Sequence, residues 1–213
     1  MNIEIRSARP EEMEEVRRVA TSSILLPPGI FPSEVIEMIT PDLTLCAVVD
    51  GRIATSYAAW PLTMRFNGDS LSVAGVTIVG TLPVYRRLGC LRRVIITHLE
   101  RLHAQGEQPV AALFASQAAI YQRYGYGIVS TRNTYRVMPK DLRFYDEGIA
   151  NGSGRMRELG DDEFEILNDV YTRFSADRIG YLCLGMHLPH TLPHSLGTDH
   201  GRARGAAIAD HIQ

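Results

Sequence analysis

The sequence predicts an α/β protein of the α+β kind, one complete domain followed by the incomplete start of a second. Three observations carry that reading. Over the first 138 residues, strand-like apolar runs alternate with helical patterns. A long amphipathic helix lies between two runs, Val76-Thr77-Ile78-Val79 and Val110 to Ala115, that read as buried strands. Beyond Gly180 the periodicity disappears, and five of the seven histidines crowd into the last 27 residues.

Ile3-Glu4-Ile5-Arg6 alternates like a short strand. Pro10-Glu11-Glu12 opens a helix, because proline suits the first turn and acids suit its positive dipole end. Met13, Val16 and Ala20 give that helix an apolar stripe. After the Pro27-Pro28-Gly29 break, Ser33 is placed to cap a second helix carrying Val35, Ile36 and Ile39 on one side. Strands are expected from Leu43 to Val49, Ile53 to Phe66 and Leu71 to Leu82, with turns at Asp50-Gly51 and Asn67-Gly68. The second dipeptide between apolar runs is a strong hairpin signal. Leu88, Leu91, Ile95, Leu99 and Leu102 then fall at spacings of three and four, and Gly106 ends that helix. Val110 to Ala115 is a strand, Ser116 caps a short helix stopping at Gly125, and Gly127 to Val137 is a final strand before Pro139. Residues 1–140 therefore read as one domain, 141–154 as a linker, and 155–213 as a partial second domain with an irregular, His-rich tail. Within that last part, Arg155 to Phe174 looks like a strand and then a helix beginning near Asp161.

Composition narrows the function classes. Of 213 residues, 45% are hydrophobic, enough for a sizeable core. Lys+Arg 22 against Asp+Glu 24 gives a net charge of −2, which argues against nucleic-acid binding by bulk positive charge. No apolar run approaches the ~18 residues of a membrane span, and the N-terminus lacks the order of a signal peptide. Cys46, Cys90 and Cys183 are neither a disulfide framework nor a zinc site, so a reducing, cytoplasmic location is expected. His187, His190 and His194 could share a metal only on a helix, and Pro189 and Pro193 forbid a regular one. No metal is expected.

The sharpest local feature is Arg86-Arg87-Leu88-Gly89-Cys90-Leu91, between a buried strand and the amphipathic helix. A helix N-terminus offers unpaired N–H groups and a positive dipole end, and glycine lets a ligand approach the backbone. With the flanking arginines, this makes a pyrophosphate cradle without a P-loop signature. The same six residues also suit a solvated helix face.

The longer stretch Val76-Thr77-Ile78-Val79-Gly80-Thr81-Leu82-Pro83-Val84-Tyr85-Arg86-Arg87-Leu88-Gly89 resembles the acetyl-CoA-binding motif of the GNAT acetyltransferase superfamily. Ala115-Ser116-Gln117-Ala118-Ala119-Ile120-Tyr121-Gln122-Arg123-Tyr124-Gly125-Tyr126-Gly127 resembles a block of the enhanced intracellular survival (Eis) family of N-acetyltransferases. The resemblance runs through residues 1 to about 140 and weakly through 155–175. It implies the GNAT fold, a mixed central sheet flanked by helices. Val79, Gly80 and Thr81 would then present backbone groups to the pantetheine arm and thioester of acetyl-CoA. Arg87, Leu88, Gly89, Cys90, Leu91 and Arg92 would hold the pyrophosphate. Ser116 and Gln117 would sit beside the cofactor, with Gln117 where the family commonly has Glu, and Tyr121 would be the general acid.

That last role fits the chemistry. Amine attack on a thioester expels a thiolate whose conjugate acid has a pKa of about 8.5, and a phenol of pKa about 10 keeps its proton until then. Out of context, Tyr121 would read as a core aromatic. The resemblance places the family's base at the carboxyl end of a much longer chain, whereas this one stops at Gln213. Ala20 to Ser33 contains no Asp or Glu, where aminoglycoside-acetylating relatives place acids, so a less cationic amine is expected. The resemblance thus implies an acetyl-CoA-dependent N-acetyltransferase acting on a small-molecule or peptide amine, and it allows a homo-oligomer. Two alternatives stand beside it, a non-catalytic acyl-CoA-binding module and an inactive truncated remnant.

Overall fold

The structure is a computed structural model that describes residues 1–25, 38–141, 157, 159–160, 163–183 and 204–210. Its strands are β1 (Ile3–Ser7), β2 (Thr44–Val49), β3 (Arg52–Phe66), β4 (Asp69–Thr81), β5 (Val110–Ala115), β6 (Tyr126–Arg132) and β7 (Arg204–Asp210). Its helices are α1 (Met13–Ser23), α2 (Cys90–Gln105) and α3 (Phe164–Ser175). Among the described residues the strands form one mixed sheet in the order β1-β2-β3-β4-β5-β7-β6, in which β4 and β5 run parallel and the other neighbours antiparallel. Parallel neighbours need a crossover, and α2 supplies it.

The two hairpin dipeptides do what their chemistry requires. Asp50 and Gly51 (φ 46° and 82°), and Asn67 and Gly68 (φ 50° and 83°), take up the left-handed backbone that a tight antiparallel turn demands. The core lies on both faces of the sheet. On one face Met13, Val16 and Val19 of α1 pack on Cys46, Val48, Ile53 and Ala58. On the other, Val94, Ile95, Leu99 and Leu102 of α2 pack on Leu45, Ala47, Val49 and Tyr57. Gly106, at φ 69°, closes α2 where the sequence places its end.

Three expectations change. The helix expected from Ser116 to Gly125 is two separate 3-10 turns, Ala118–Ile120 and Gln122–Tyr124, and Ser116 makes no cap. So short a segment gains too few intrahelical bonds to offset nucleation, and each turn is tight and local. The last strand of that region ends at Arg132 rather than Val137. Within the tail read as irregular, residues 204–210 form β7, which pairs antiparallel with β5 on one side and β6 on the other. The sequence hides this strand because Gly205-Ala206-Ala207 and Ala209 carry little strand propensity and no alternation. Residues Gly180 to Cys183 also run beside β3, with Cys183 N–H donating to the Thr63 carbonyl (2.7 Å) and Arg65 N–H to the Tyr181 carbonyl (2.8 Å). Most of the helix capped by Ser33, residues 142–154 of the linker and the histidines 187–194 lie outside the described residues.

The start of α1 is fixed electrostatically. Arg6 on β1 donates two bonds of 2.7 Å to the Glu12 carboxylate, and the Arg9 backbone N–H donates a third. The Arg6 guanidinium and that N–H hold the Glu12 carboxyl down to about 2. A depressed carboxyl stabilises the fold above its unfolded pKa of 4.5 and loses that contribution as the pH falls toward 2. Glu12→Gln should therefore lower stability at pH 7 by roughly 1–3 kcal/mol. The gap to the parent should close steadily below about pH 4.5 in thermal unfolding measured across pH.

Candidate active site

The ladder between β4 and β5 covers only Val73↔Val110 to Val76↔Leu113. Beyond it β4 continues to Thr81, whereas Phe114 and Ala115 of β5 pair with Ala206 and Gly205 of β7. The two parallel strands therefore part after Val76 and leave a wedge between them.

A bulge aims the β4 side of that wedge. Ser56 pairs with Gly80 and Ala58 with Thr77, so Tyr57 alone faces two residues, Ile78 and Val79. Ile78 adopts φ 45°, a left-handed conformation that a β-branched residue strongly resists. The fully buried Ser56 hydroxyl donates to the Ile78 carbonyl at 2.8 Å and pins the dislocation. Beside it the Thr55 and Thr81 hydroxyls bond at 2.9 Å. Gly80 is required by crowding. A Cβ there would lie 2.7 Å from the Ser23 Cβ and 2.8 Å from its hydroxyl oxygen, at the C-terminus of α1. The backbone of Val79, Gly80 and Thr81 thus lies on β4 beyond the end of its ladder with β5.

The chain then turns into α2 through Arg86 to Gly89. Arg87 (φ 66°) and Gly89 (φ 79°) are left-handed, and the first intrahelical bond of α2 runs from Arg93 N–H to the Gly89 carbonyl. The N–H groups of Cys90, Leu91 and Arg92 precede that bond and lack intrahelical partners. No side chain caps this terminus and no acid lies in its first turn. Instead Arg87, Arg92 and Arg93 are exposed around it. Cations at a positive helix end repel it, so the arrangement is unfavourable until an anion arrives.

Two residues of the motif act differently from their neighbours. Arg86 is a brace, whose guanidinium donates to the Ser23 carbonyl at 2.9 Å and to the Thr81 carbonyl at 3.3 Å. Cys90 is 2% exposed and its thiol belongs to the core beside Thr55, where burial pushes its pKa up. Its contribution to a ligand is limited to the backbone N–H. Sequence reasoning gave no sign of the parts of Ser56 or Arg86, since both depend on partners far along the chain.

Ser116 and Gln117 are exposed just past β5, and the Gln117 carbonyl accepts the Ile120 N–H (3.2 Å). Tyr121 joins the two 3-10 turns. Its N–H donates to the Ala118 carbonyl (3.0 Å) and its carbonyl accepts the Tyr124 N–H (2.9 Å). The half-buried ring packs edge-on against Tyr126, with centroids 5.7 Å apart. Burial, and secondarily the Tyr124 phenol, push the Tyr121 pKa up to about 12. The cradle and the tyrosine therefore belong to the two segments that follow the parting strands, β4 and β5. Among the described residues no group of three His, Cys, Asp or Glu side chains could hold a metal ion, and no helix is long and apolar enough to cross a membrane. Of the acid-free stretch from Ala20 to Ser33, residues 26–33 lie outside the described residues.

The sequence pattern of the acetyltransferase (GNAT) domain matches residues 4–129. Over 84 residues the chain is 38% identical to N-acetyltransferase Eis of Mycobacterium tuberculosis, a match covering 39% of this chain and 21% of that protein. An uncharacterized N-acetyltransferase of Streptomyces avermitilis is 32% identical over 116 residues, which cover 53% of this chain and 27% of the relative. Among solved structures, Eis1 of Mycobacterium abscessus superposes with a TM-score of 0.55 at 28% identity, over 60% of this chain and 33% of that one. A GCN5-related N-acetyltransferase of Anabaena variabilis shares the fold, with a TM-score of 0.55 at 20% identity over 61% of this chain and 33% of that one. The matches span about a fifth to a third of the length of these relatives.

Removing the pin should loosen the wedge. Ser56→Ala deletes a buried hydroxyl and leaves the Ile78 carbonyl without that donor, which should cost about 1–3 kcal/mol in denaturant unfolding. Thr63→Ala, in the half of β3 farther from the bulge, should cost less.

Proposed function

The chain belongs to the acetyltransferase (GNAT) domain family, and on that premise we propose that it binds acetyl-CoA along the β4–β5 wedge and transfers the acetyl group directly to a small-molecule or peptide amine. The observation that carries the proposal is the uncapped, acid-free N-terminus of α2, ringed by Arg87, Arg92 and Arg93. A pyrophosphate would satisfy the orphan N–H groups and reverse the repulsion between the arginines and the helix dipole. With the Cys90 side chain buried and Leu88 packed against the core, these two residues and Gly89 would offer a ligand backbone rather than side chains.

The other residues take roles that follow from their places. The bulge turns backbone groups of Val79, Gly80 and Thr81 toward the pantetheine arm and the thioester. Ser116 and Gln117 line the opposite edge. The amine nitrogen attacks the carbonyl carbon, the C–S bond breaks, the sulfur takes a proton from the Tyr121 hydroxyl, and the nitrogen gives up one proton to solvent, from which the Tyr121 oxygen is reprotonated. Burial makes Tyr121 a weaker acid than an ordinary phenol but keeps it protonated over the whole working range. The same dry surroundings raise the proton affinity of the departing thiolate, so the transfer occurs as the bond breaks.

Tyr121→Phe should lower kcat by about 10²–10⁴ while leaving acetyl-CoA affinity unchanged, measured by thiol release with an amine panel. Binding without turnover in the parent would instead identify an acyl-CoA-binding module. Because the Tyr121 proton is lost only near pH 12, the rate should rise as the acceptor amine deprotonates and show no fall below about pH 10. Arg87→Glu should weaken acetyl-CoA binding by about tenfold or more, whereas Arg101→Glu, far from the α2 N-terminus, should change it less than about twofold. Equal effects would contradict the cradle.

A further inference from the structure

Behind Tyr121 lies a group of polar atoms that the acyl transfer as described leaves unused. Tyr57 of β3 and His98 of α2 are both buried, and the Tyr57 hydroxyl meets the His98 Nδ1 at 2.7 Å with ring centroids 5.0 Å apart. Tyr126 opens β6 and is 4% exposed, and its hydroxyl is buried with no hydrogen-bond partner. The Tyr57 phenol lies beside that hydroxyl, close enough for a hydrogen-bonding interaction between the two phenols but short of regular hydrogen-bond geometry. The Tyr126 ring in turn meets the Tyr121 ring edge-on, at 5.7 Å and 65°. Tyr57 is also the residue that faces the extra β4 residue at the bulge, so the series starts directly under the wedge.

Four residues from four segments thus converge. Pure packing would be met as well by phenylalanine and leucine, which bury no hydroxyl or imidazole. A buried phenol whose hydroxyl faces another phenol outside regular hydrogen-bond geometry points to a use beyond packing. We propose that His98, Tyr57 and Tyr126 form a buried polar column that positions the Tyr121 ring at the wedge, making all three positioning residues for the acyl transfer. The inference rests on the reading of Tyr121 as the proton donor. The imidazole fixes the Tyr57 hydroxyl, the Tyr57 phenol sets the place of the Tyr126 ring, and the Tyr126 edge limits the rotation of Tyr121.

The test separates position from catalysis. In the full chain with ring-labelled tyrosine, the Tyr121 signals are those that vanish from the NMR spectrum of Tyr121→Phe. Tyr57→Phe, which keeps the ring volume, and His98→Leu should shift or broaden them, whereas His98→Asn, which keeps an acceptor near the Nδ1 place, should return them toward the parent. Tyr121 signals unchanged in Tyr57→Phe and His98→Leu would overturn the column. In turnover, Tyr57→Phe and His98→Leu should lower kcat about 10- to 100-fold with the KM for acetyl-CoA within about twofold, and His98→Asn should recover most of the loss. Parent-like kcat in both would likewise overturn the proposal. An active Tyr121→Phe would instead remove the reading of Tyr121 as acid, while the ring coupling seen by NMR would persist.

Discussion

A single extra residue in β4 sets the geometry on which the site depends. Where Tyr57 faces both Ile78 and Val79, the strand departs from regular pairing, and its ladder with β5 has already ended at Val76. Holding a β-branched residue at φ 45° costs on the order of 1–3 kcal/mol, and the strain persists only where the surroundings over-determine it. They do so here. Ser56 bonds the Ile78 carbonyl, the Thr55 and Thr81 hydroxyls close the next pair, and Ser23 leaves room for nothing larger than Gly80. Arg86 then ties the following loop to both α1 and β4. Backbone strain, a missing side chain and a guanidinium brace all act on one place, the end of β4 beyond its ladder with β5.

The two sides of that wedge are built on opposite electrostatic terms. On the α2 side, positive charge accumulates around a positive dipole end in contact with water, a state that an anionic ligand improves. On the β5–β6 side, phenols are withdrawn from water, and burial pushes both Tyr121 and Tyr126 up to about 12. In the proposed reading a diphosphate would occupy the first and a neutral proton donor the second. A molecule with a charged end and a reactive thioester end is the kind of ligand that spans both.

Much of this was legible in the sequence because it rests on local chemistry. Asn67-Gly68 and Asp50-Gly51 carry their turn geometry in two residues, and the spacing of Leu88, Leu91, Ile95, Leu99 and Leu102 fixes the buried side of α2 without reference to anything else. What escaped depends on distant partners. Arg86 and Arg87 are chemically identical neighbours, yet Arg86 reaches the Ser23 carbonyl while Arg87 takes a left-handed backbone at the start of α2, and only the folded loop tells them apart. The bulge is a mismatch between two strands, so neither strand reveals it alone. β7 escaped because alanine and glycine give no periodic signal. Tyr57 lies inside the strand expected from Ile53 to Phe66, and its bond to a histidine 41 residues away has no local signal. The role proposed for Tyr121 comes from the family resemblance alone. The residues around it show how an isolated phenol is held in a polar, water-poor setting.

The measurement that bears most directly on the account is a calorimetric titration of the intact chain with acetyl-CoA, paired with the same titration using a CoA analogue that lacks the pyrophosphate. The account predicts one site per chain with a dissociation constant on the order of 10 μM, roughly −7 kcal/mol, and a severe loss of affinity for the analogue. Absence of heat with acetyl-CoA, or equal affinity for both ligands, would contradict the assignment of the α2 N-terminus as a pyrophosphate cradle.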